Sequence, residues 1–237
     1  MLKSQKVLFG IGAAIILLVA AAAFAGPFLY KEYFAPRAES SPTLRANEGV
    51  LDGTAAGKPL DPAALVGVWQ VSSGSEAGYR VDEVLNGTNV TVTGRTEKVS
   101  GTFTVADDGL TLQAADLTVD VASIATDSSS RDAYFRNDAL RTSEYPDAKF
   151  VLTQPVTVAE APASGGVLTA DVAGDLTIAG VTKPVTASVE VQSDGTTAQI
   201  AGSIPITFAD FGVTAPNLGF VSVEPQGAVE FQLRAAR

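Results

Sequence analysis

The stretch LTADVAGDLTI, residues 168 to 178, alternates apolar and polar side chains along its length. Its even-numbered positions hold Leu, Ala, Val, Gly, Leu and Ile, whereas most odd-numbered positions hold Thr or Asp. A period of two indicates a β-strand with one buried and one solvated face. We therefore predict a long antiparallel strand here, with a bulge or bend at Gly174.

The same alternation recurs through residues 65 to 237 and predicts a mainly β domain of roughly eight to ten strands. Further strand patterns occur at residues 66–71, 90–94, 99–105, 110–121, 149–152, 185–191, 200–208 and 229–233. Turn sequences such as Asp107-Asp108-Gly109 separate them. One helical pattern at 128–140 follows a capping Asp127 or Ser128. We expect a sandwich or a barrel, and in a barrel the helix would close one mouth.

The N-terminal part of the chain predicts a membrane segment. Residues 7 to 30 carry no charge, and as a helix they would be about 36 Å long, enough to cross a hydrocarbon core of about 30 Å. Lys3 and Lys6 precede them, so we expect a single-pass anchor over 1–34, its N-terminus cytoplasmic and the domain extracytoplasmic. A signal peptide cleaved after Ala25, which would give a secreted domain, is the alternative. Residues 35–64 are rich in Pro, Gly, Ser, Ala and charge, which predicts a flexible linker.

Composition excludes several classes of function. The chain has no His and no Cys, so it cannot by itself build a Ser-His-Asp triad, a Cys-His pair, or a His- or Cys-ligated metal or haem site. Its net charge of −10 disfavours nucleic acid as a partner, because such binding depends on Lys and Arg replacing counterions. We therefore expect a protein that is not an enzyme, with no catalytic residue, metal or cofactor.

Three segments, taken in order and spacing, resemble the YceI-like domain family. The first runs from Ser123 to Phe150 and contains RDAYFR at 131–136 and EYPDAKF at 144–150. The second, GDLTIAGVTKPV at 174–185, is the most specific. The third is ADFG at 209–212. The resemblance covers about residues 65 to 234, so we take 65–237 as one YceI-like domain.

The resemblance implies an extended antiparallel lipocalin-like β-barrel with a long cavity for polyisoprenoid chains or similar amphiphiles, in a protein of the cell envelope. Two positions depart from the family. Tyr134 stands where the family usually has His, and Phe208-Ala209 stand where it usually has Arg. If those positions contact a polar head group, the head group bound by this chain differs.

The alternating faces and the resemblance together give candidate ligand-binding residues. The predicted apolar cavity lining consists of Phe103, Val105, Leu117, Val119, Leu176, Ile178, Ile206 and Phe208. The predicted mouth or rim consists of Arg131, Tyr134, Phe135 and Tyr145, although for Arg131 an ion pair that fixes the helix is the competing interpretation. We expect the protein to bind, carry or sequester a long apolar lipid, with the membrane reached through its N-terminal helix.

Two other functions remain open at this level. A structural or adhesive surface β-sandwich without a ligand would show the same alternation. A carboxylate-based hydrolase needs two acids within about 5 to 10 Å. Asp171 and Asp175, four residues apart on one strand, would lie about 13 Å apart on the outer face.

Overall fold

A computed structural model describes residues 38–44, 58–85, 87–217, 219 and 221–237. Within these residues the chain forms eleven β-strands, and each pairs antiparallel with its neighbours. The strands are β1 Gly67–Val71, β2 Glu76–Leu85, β3 Thr88–Thr96, β4 Val99–Val105, β5 Thr111–Asp120, β6 Asp147–Leu152, β7 Val156–Thr157, β8 Val167–Ile178, β9 Val181–Ser193, β10 Thr197–Thr207 and β11 Val221–Ala236. The predicted mainly β domain is therefore confirmed.

Eight strands close into a ring in the order β1, β4, β5, β6, β8, β9, β10, β11. The ring closes where Gln70 and Val71 of β1 pair with Ala236 and Ala235 of β11. The β2–β3 hairpin lengthens the wall, since β2 also pairs with β11. This closure identifies an antiparallel barrel and rules out the two-sheet sandwich as the architecture of these residues.

Strand β8 forms as predicted from the alternation of residues 168 to 178, except at Gly174. Val172, Gly174, Leu176 and Ile178 are buried, and the residues that alternate with them are half-buried. The predicted bulge at Gly174 is wrong, because β8 and β9 pair in unbroken register through it. A Cβ atom at Gly174 would lie 2.3 Å from Cζ of Phe150, so this glycine makes room for the phenylalanine ring.

One end of the barrel, which we call the helix end, carries the short helices. They are the 3₁₀ turns Val121–Ser123 and Phe208–Phe211, helix α1 Ser129–Tyr134 and a π-helical turn Phe135–Ala139. Ser128 caps α1 as predicted, since its hydroxyl oxygen accepts from the Arg131 N–H. Ile124, Leu140 and Phe211 are buried in the core at this end.

The opposite end, which we call the loop end, is crossed by residues 58–66 and by the loop at 158–166. The backbone N–H of Leu60 donates to the Pro162 carbonyl at 3.0 Å, and that of Ser164 donates to the Lys58 carbonyl at 3.2 Å. Asp61 caps a 3₁₀ turn at Pro62–Ala64. The chain that leads into β1 therefore lies over this end of the barrel.

The predicted membrane segment, residues 7–30, lies outside the residues that the structure describes. In the described ranges, no helix combines the length and the apolar character that a membrane crossing requires.

Candidate ligand-binding cavity

The interior of the barrel contains an apolar cavity of about 270 Å³. All eight strands of the ring contribute side chains to its wall. Six of the predicted lining residues lie on that wall: Phe103, Val105, Leu117, Val119, Leu176 and Ile178. They meet there because inward positions alternate along each strand, so that neighbouring strands present their apolar faces to a common interior.

The other two predicted lining residues lie elsewhere. Ile206 packs against the core but is outside the cavity lining. Phe208 begins the 3₁₀ turn after β10, and its ring lies beside Gly227 of β11. The alternation of β10 stops at Thr207, and Phe208, the first residue after the strand, is outside the cavity lining.

The cavity wall offers almost no polar chemistry. Among the lining residues of the described chain, only Lys149 and Ser193 have polar side chains. Lys149 is exposed and lies at an outward-alternating position of β6. The Ser193 hydroxyl is engaged in the β9–β10 turn, where it donates to the Thr197 carbonyl and accepts from the Gly195 N–H. A hydrocarbon chain could therefore make apolar contacts with this wall, whereas a charged group would find no ion-pair or hydrogen-bond partner in it.

Several wall residues were absent from the predicted site. Trp69, Phe150, Val172, Ile200, Phe231 and Leu233 all line the cavity. Most lie on inward faces of predicted strands, and the same alternation could have placed them. Trp69 is the single tryptophan of the chain and is 4% exposed, and its indole N–H donates to the Leu65 carbonyl at 2.9 Å.

The predicted rim residues all lie at the helix end, and none of them is in the cavity lining. Arg131 forms ion pairs with Glu83 of β2 at 3.1 Å and with Asp127 at 2.8 Å. Because Glu83 is buried, this pair fixes helix α1 to the barrel wall, which is the geometry of the competing interpretation. Contact of Arg131 with a head group stays a prediction.

The aromatic residues at this end pack against one another or against turns. The Phe135 ring stacks on Tyr79 with centroids 5.0 Å apart, and burial raises the pKa of Tyr79 to about 12. Tyr145 lies against Gly180 at the tip of the β8–β9 hairpin. Tyr134 ends helix α1 and is half-buried. These aromatic side chains therefore lie at the helix end, outside the cavity lining.

The loop end contributes its own part of the lining. Gly109 and Leu110 come from the β4–β5 turn, Val158 and Pro162 from the loop after β7, and Leu65 from the segment before β1. These are turn and loop residues, whereas the core fills the helix end. At the loop end, the cavity is therefore bounded by turn and loop residues.

A second cluster lies on the outer surface and is charged. Glu230 of β11 is 2% exposed, and its carboxylate accepts from Arg80 at 2.7 Å and pairs with Arg95. Burial disfavours the carboxylate, but the hydrogen bond from Arg80 and the charge of Arg95 outweigh it and hold the pKa of Glu230 below its usual range. Part of the predicted linker covers this cluster: Glu39 contacts both arginines, and the Leu44 N–H donates to Glu190 at 2.7 Å.

The interior of a closed eight-stranded antiparallel barrel is either filled by side chains or holds one small ligand, and in this barrel it contains an apolar cavity. The model of the YceI-like domain family matches residues 69–235, so this chain belongs to the YceI-like domain family.

Curated relatives include UPF0312 proteins of Pseudomonas. One from Pseudomonas savastanoi pv. phaseolicola is 33% identical over 132 residues, and one from Pseudomonas putida (strain W619) is 34% identical over 132 residues. Each alignment covers 50% of this chain and 65% of the relative, so the match spans slightly less than two thirds of those proteins.

Two solved structures share the fold. A polyisoprenoid binding domain from Saccharophagus degradans, implicated in plant cell wall breakdown, aligns with a TM-score of 0.57 and 19% identity over 71% of this chain and 97% of that one. BcnA from Burkholderia cenocepacia aligns with a TM-score of 0.50 and 25% identity over 67% of this chain and 96% of that one.

Proposed function

We propose that this domain binds the apolar chain of a lipid inside its barrel and acts as a carrier or sequestering protein. The observation that carries the proposal is the cavity of about 270 Å³, whose wall is almost wholly apolar. Moving one methylene group from water into such a site is worth roughly 0.8 kcal/mol. A hydrocarbon chain can therefore bind here without directed polar contacts.

The relatives support the class of ligand. A barrel of this fold from Saccharophagus degradans is a polyisoprenoid binding domain, and an isoprenoid chain has the chemistry that the cavity wall would accept. Binding of an isoprenoid-type lipid or a similar amphiphile needs no catalytic group, in keeping with a chain that lacks His and Cys.

Two adjacent alanines of β5 provide a matched test. Ala115 is buried and lines the cavity, whereas Ala114 is exposed on the outer face. Ala115→Phe should fill part of the cavity and weaken binding of farnesol at least tenfold, measured through Trp69 fluorescence. Ala114→Phe adds the same ring outside and should leave binding unchanged. Equal binding by both variants, with unfolding curves that show both folded, would refute the proposal.

Native extraction provides an independent test. Full-length protein isolated gently from its own membranes should carry lipid that mass spectrometry detects after organic extraction. Protein that is consistently free of lipid and takes none up from vesicles would contradict the proposed role.

We further propose that residues 1–34 anchor the domain at the outer face of the membrane. The uncharged stretch at 7–30 and the preceding Lys3 and Lys6 support this topology. The intact mass of the mature protein tests it, because a chain that begins at Gly26 would have lost the anchor. Added protease should digest the domain from the extracytoplasmic side only.

A further inference from the structure

A groove runs across the outer wall of the barrel, over β10 and the strands beside it. Its floor consists of small residues, Ala201 and Ser203 of β10 and Ser188 of β9. Ala201 follows Ile200, which lines the cavity, so the side chain of Ala201 points outward. Ala201 is nevertheless 0% exposed, so atoms outside the barrel wall cover it.

Residues 38–44, which we call the docking segment, lie in this groove. Three of them border the groove together with its floor: Ser41, Pro42 and Thr43. Leu44, at the end of the segment, is 8% exposed although it is not part of the main hydrophobic core. The docking segment therefore covers part of the outer wall and buries its own leucine against the folded domain.

Polar contacts hold the docking segment at both of its ends. At one end, the carbonyl oxygen of Glu39 accepts from Arg80, and the Glu39 carboxylate lies 3.7 Å from the guanidinium of Arg95. At the other end, the Leu44 N–H donates to the Glu190 carboxylate at 2.7 Å. The wall thus offers cations to an acidic residue and a carboxylate to a backbone N–H. These two contacts fix the direction in which the segment crosses from β2 and β3 to β9.

The docking segment follows the predicted membrane segment closely in the chain. The uncharged stretch ends at Tyr30, nine residues before Glu39. Nine residues span at most about 32 Å, whatever their conformation. Without docking, the first contact of the described chain with the barrel would be at Lys58, 28 residues after Tyr30. The corresponding limit would then be about 100 Å.

We propose that the groove is a docking surface for residues 38–44 of the same chain, and that docking holds the flank of the barrel within about 32 Å of the end of the membrane segment. This inference rests on the proposed membrane anchor and specifies how the domain is held beside it. A docked domain stays near the membrane that carries it, which suits exchange of lipid with that membrane. An undocked domain could reach about three times as far.

A pair of spin labels tests the docking directly, because the chain has no cysteine of its own. Thr43→Cys places one label in the docking segment. Thr186→Cys places the other on β9, four residues from Glu190 and therefore about 13 Å from it. In the full-length protein, the distance between the two labels should be short and narrowly distributed.

Two release variants and one matched control define the expected result. Glu39→Ala combined with Leu44→Ser removes the ion pair and the buried side chain, and Glu190→Ala removes the acceptor on the barrel. Both should lose the short distance. Ser40→Ala should keep it, because Ser40 is exposed and its side chain forms no hydrogen bond among the described residues. A short distance that persists in both release variants would overturn the inference.

An equal mixture of the two single-cysteine proteins separates docking within one chain from exchange between copies. The mixture should show no short distance. A short distance in the mixture would mean that the segment docks on a second copy, and the inference would be wrong.

Energy transfer to the membrane tests the reach. Full-length protein is reconstituted in nanodiscs whose lipid head groups carry an acceptor dye, and the donor dye is attached through Thr91→Cys on β3. Transfer should fall in the release variants and should be unchanged by Ser40→Ala. Unchanged transfer in a variant that has lost the short distance would overturn the inference and leave the proposed anchor standing.

Two further results separate this inference from the proposed function. A protein that does not enter nanodiscs would show that both the anchor and the inferred reach are wrong. The release variants should bind farnesol as the wild type does, because Glu39, Leu44 and Glu190 are outside the cavity lining. Loss of farnesol binding in a folded release variant would contradict a role of the segment in positioning alone.

Discussion

The buried charge cluster on the outer face gives the sharpest stability prediction. Glu230 is 2% exposed, and its two partners, Arg80 and Arg95, retain 21% and 12% exposure of their side chains. Glu230→Gln removes the charge and leaves two partly buried guanidinium groups facing each other. Breaking a buried ion pair from one side costs about 3 to 5 kcal/mol.

The structure places the expected cost near the lower limit of that range. Both arginines keep some solvent contact, and Arg95 retains backbone acceptors at Tyr79 and Gly94. We expect the variant to lose about 3 kcal/mol of unfolding free energy, or about 6 to 12 °C in Tm for a domain of this size.

Urea denaturation of the variant beside a surface control provides the assay. Lys98→Gln removes a pair with Asp120 in which the lysine side chain is 68% exposed, so the loss should stay below about 1 kcal/mol. A Glu230→Gln variant no less stable than the Lys98→Gln variant would refute the argument that burial makes the first pair critical.

The pH dependence of stability follows from the same cluster. The folded-state pKa of Glu230 lies below its unfolded value of about 4.3, so its contribution is complete above that value and is lost as pH falls through the folded pKa. The wild-type advantage over Glu230→Gln should therefore shrink between pH 5 and acid conditions, to an extent that denaturation midpoints can measure. An advantage that is constant over that range would contradict the assignment.

Three further substitutions test local features, each by thermal unfolding. Gly174→Ala should cost about 1 to 3 kcal/mol because its Cβ would meet the Phe150 ring, and Phe150→Leu should recover part of that loss; additive losses would argue against the contact. Ala179→Gly should stabilise by about 0.5 to 1 kcal/mol, since Ala179 has φ of 49° in the β8–β9 turn, and a destabilised variant would show that the turn is unstrained. Asp194→Asn should make the thermal stability fall less steeply between pH 4 and 2. Burial opposes ionisation of Asp194, but hydrogen bonds from Thr197 and Thr196 lower its pKa to about 2, so its contribution to stability is lost as pH falls through that value. The same loss of stability over this pH range in the variant and the wild type would contradict the prediction.

The strands were predictable from the sequence where one face of a strand is uniformly apolar. In β8 the alternation predicted the strand, and two of its residues that were predicted to face inward, Leu176 and Ile178, lie on the cavity wall. Strand β2 gave no such signal, because Glu83 occupies a buried position that its ion pair with Arg131 makes tolerable. A polar residue with a distant partner breaks the pattern, and the partner is visible only in three dimensions.

The position of the predicted rim residues relative to the cavity could not be read from the sequence for a different reason. A helical segment and aromatic residues at strand ends show which residues lie at one end of a barrel. The order of the residues in the chain does not show which of the two ends is filled by core side chains. That depends on how Phe211 and Leu140, which are 71 positions apart in the numbering, pack at the same end. The loop-end lining likewise brings together Leu65 and Pro162, which are far apart in the sequence.

The contact of residues 38–44 with the outer wall has a mechanical consequence. This segment lies against the flank of the barrel, whereas residues 58–60 lie across its loop end. A force applied to the chain before residue 38 would load the bonds of Glu39 and Leu44 first. Motion of the chain before residue 38 would therefore be absorbed at the flank, and the loop end of the barrel would remain undisturbed until that attachment gave way.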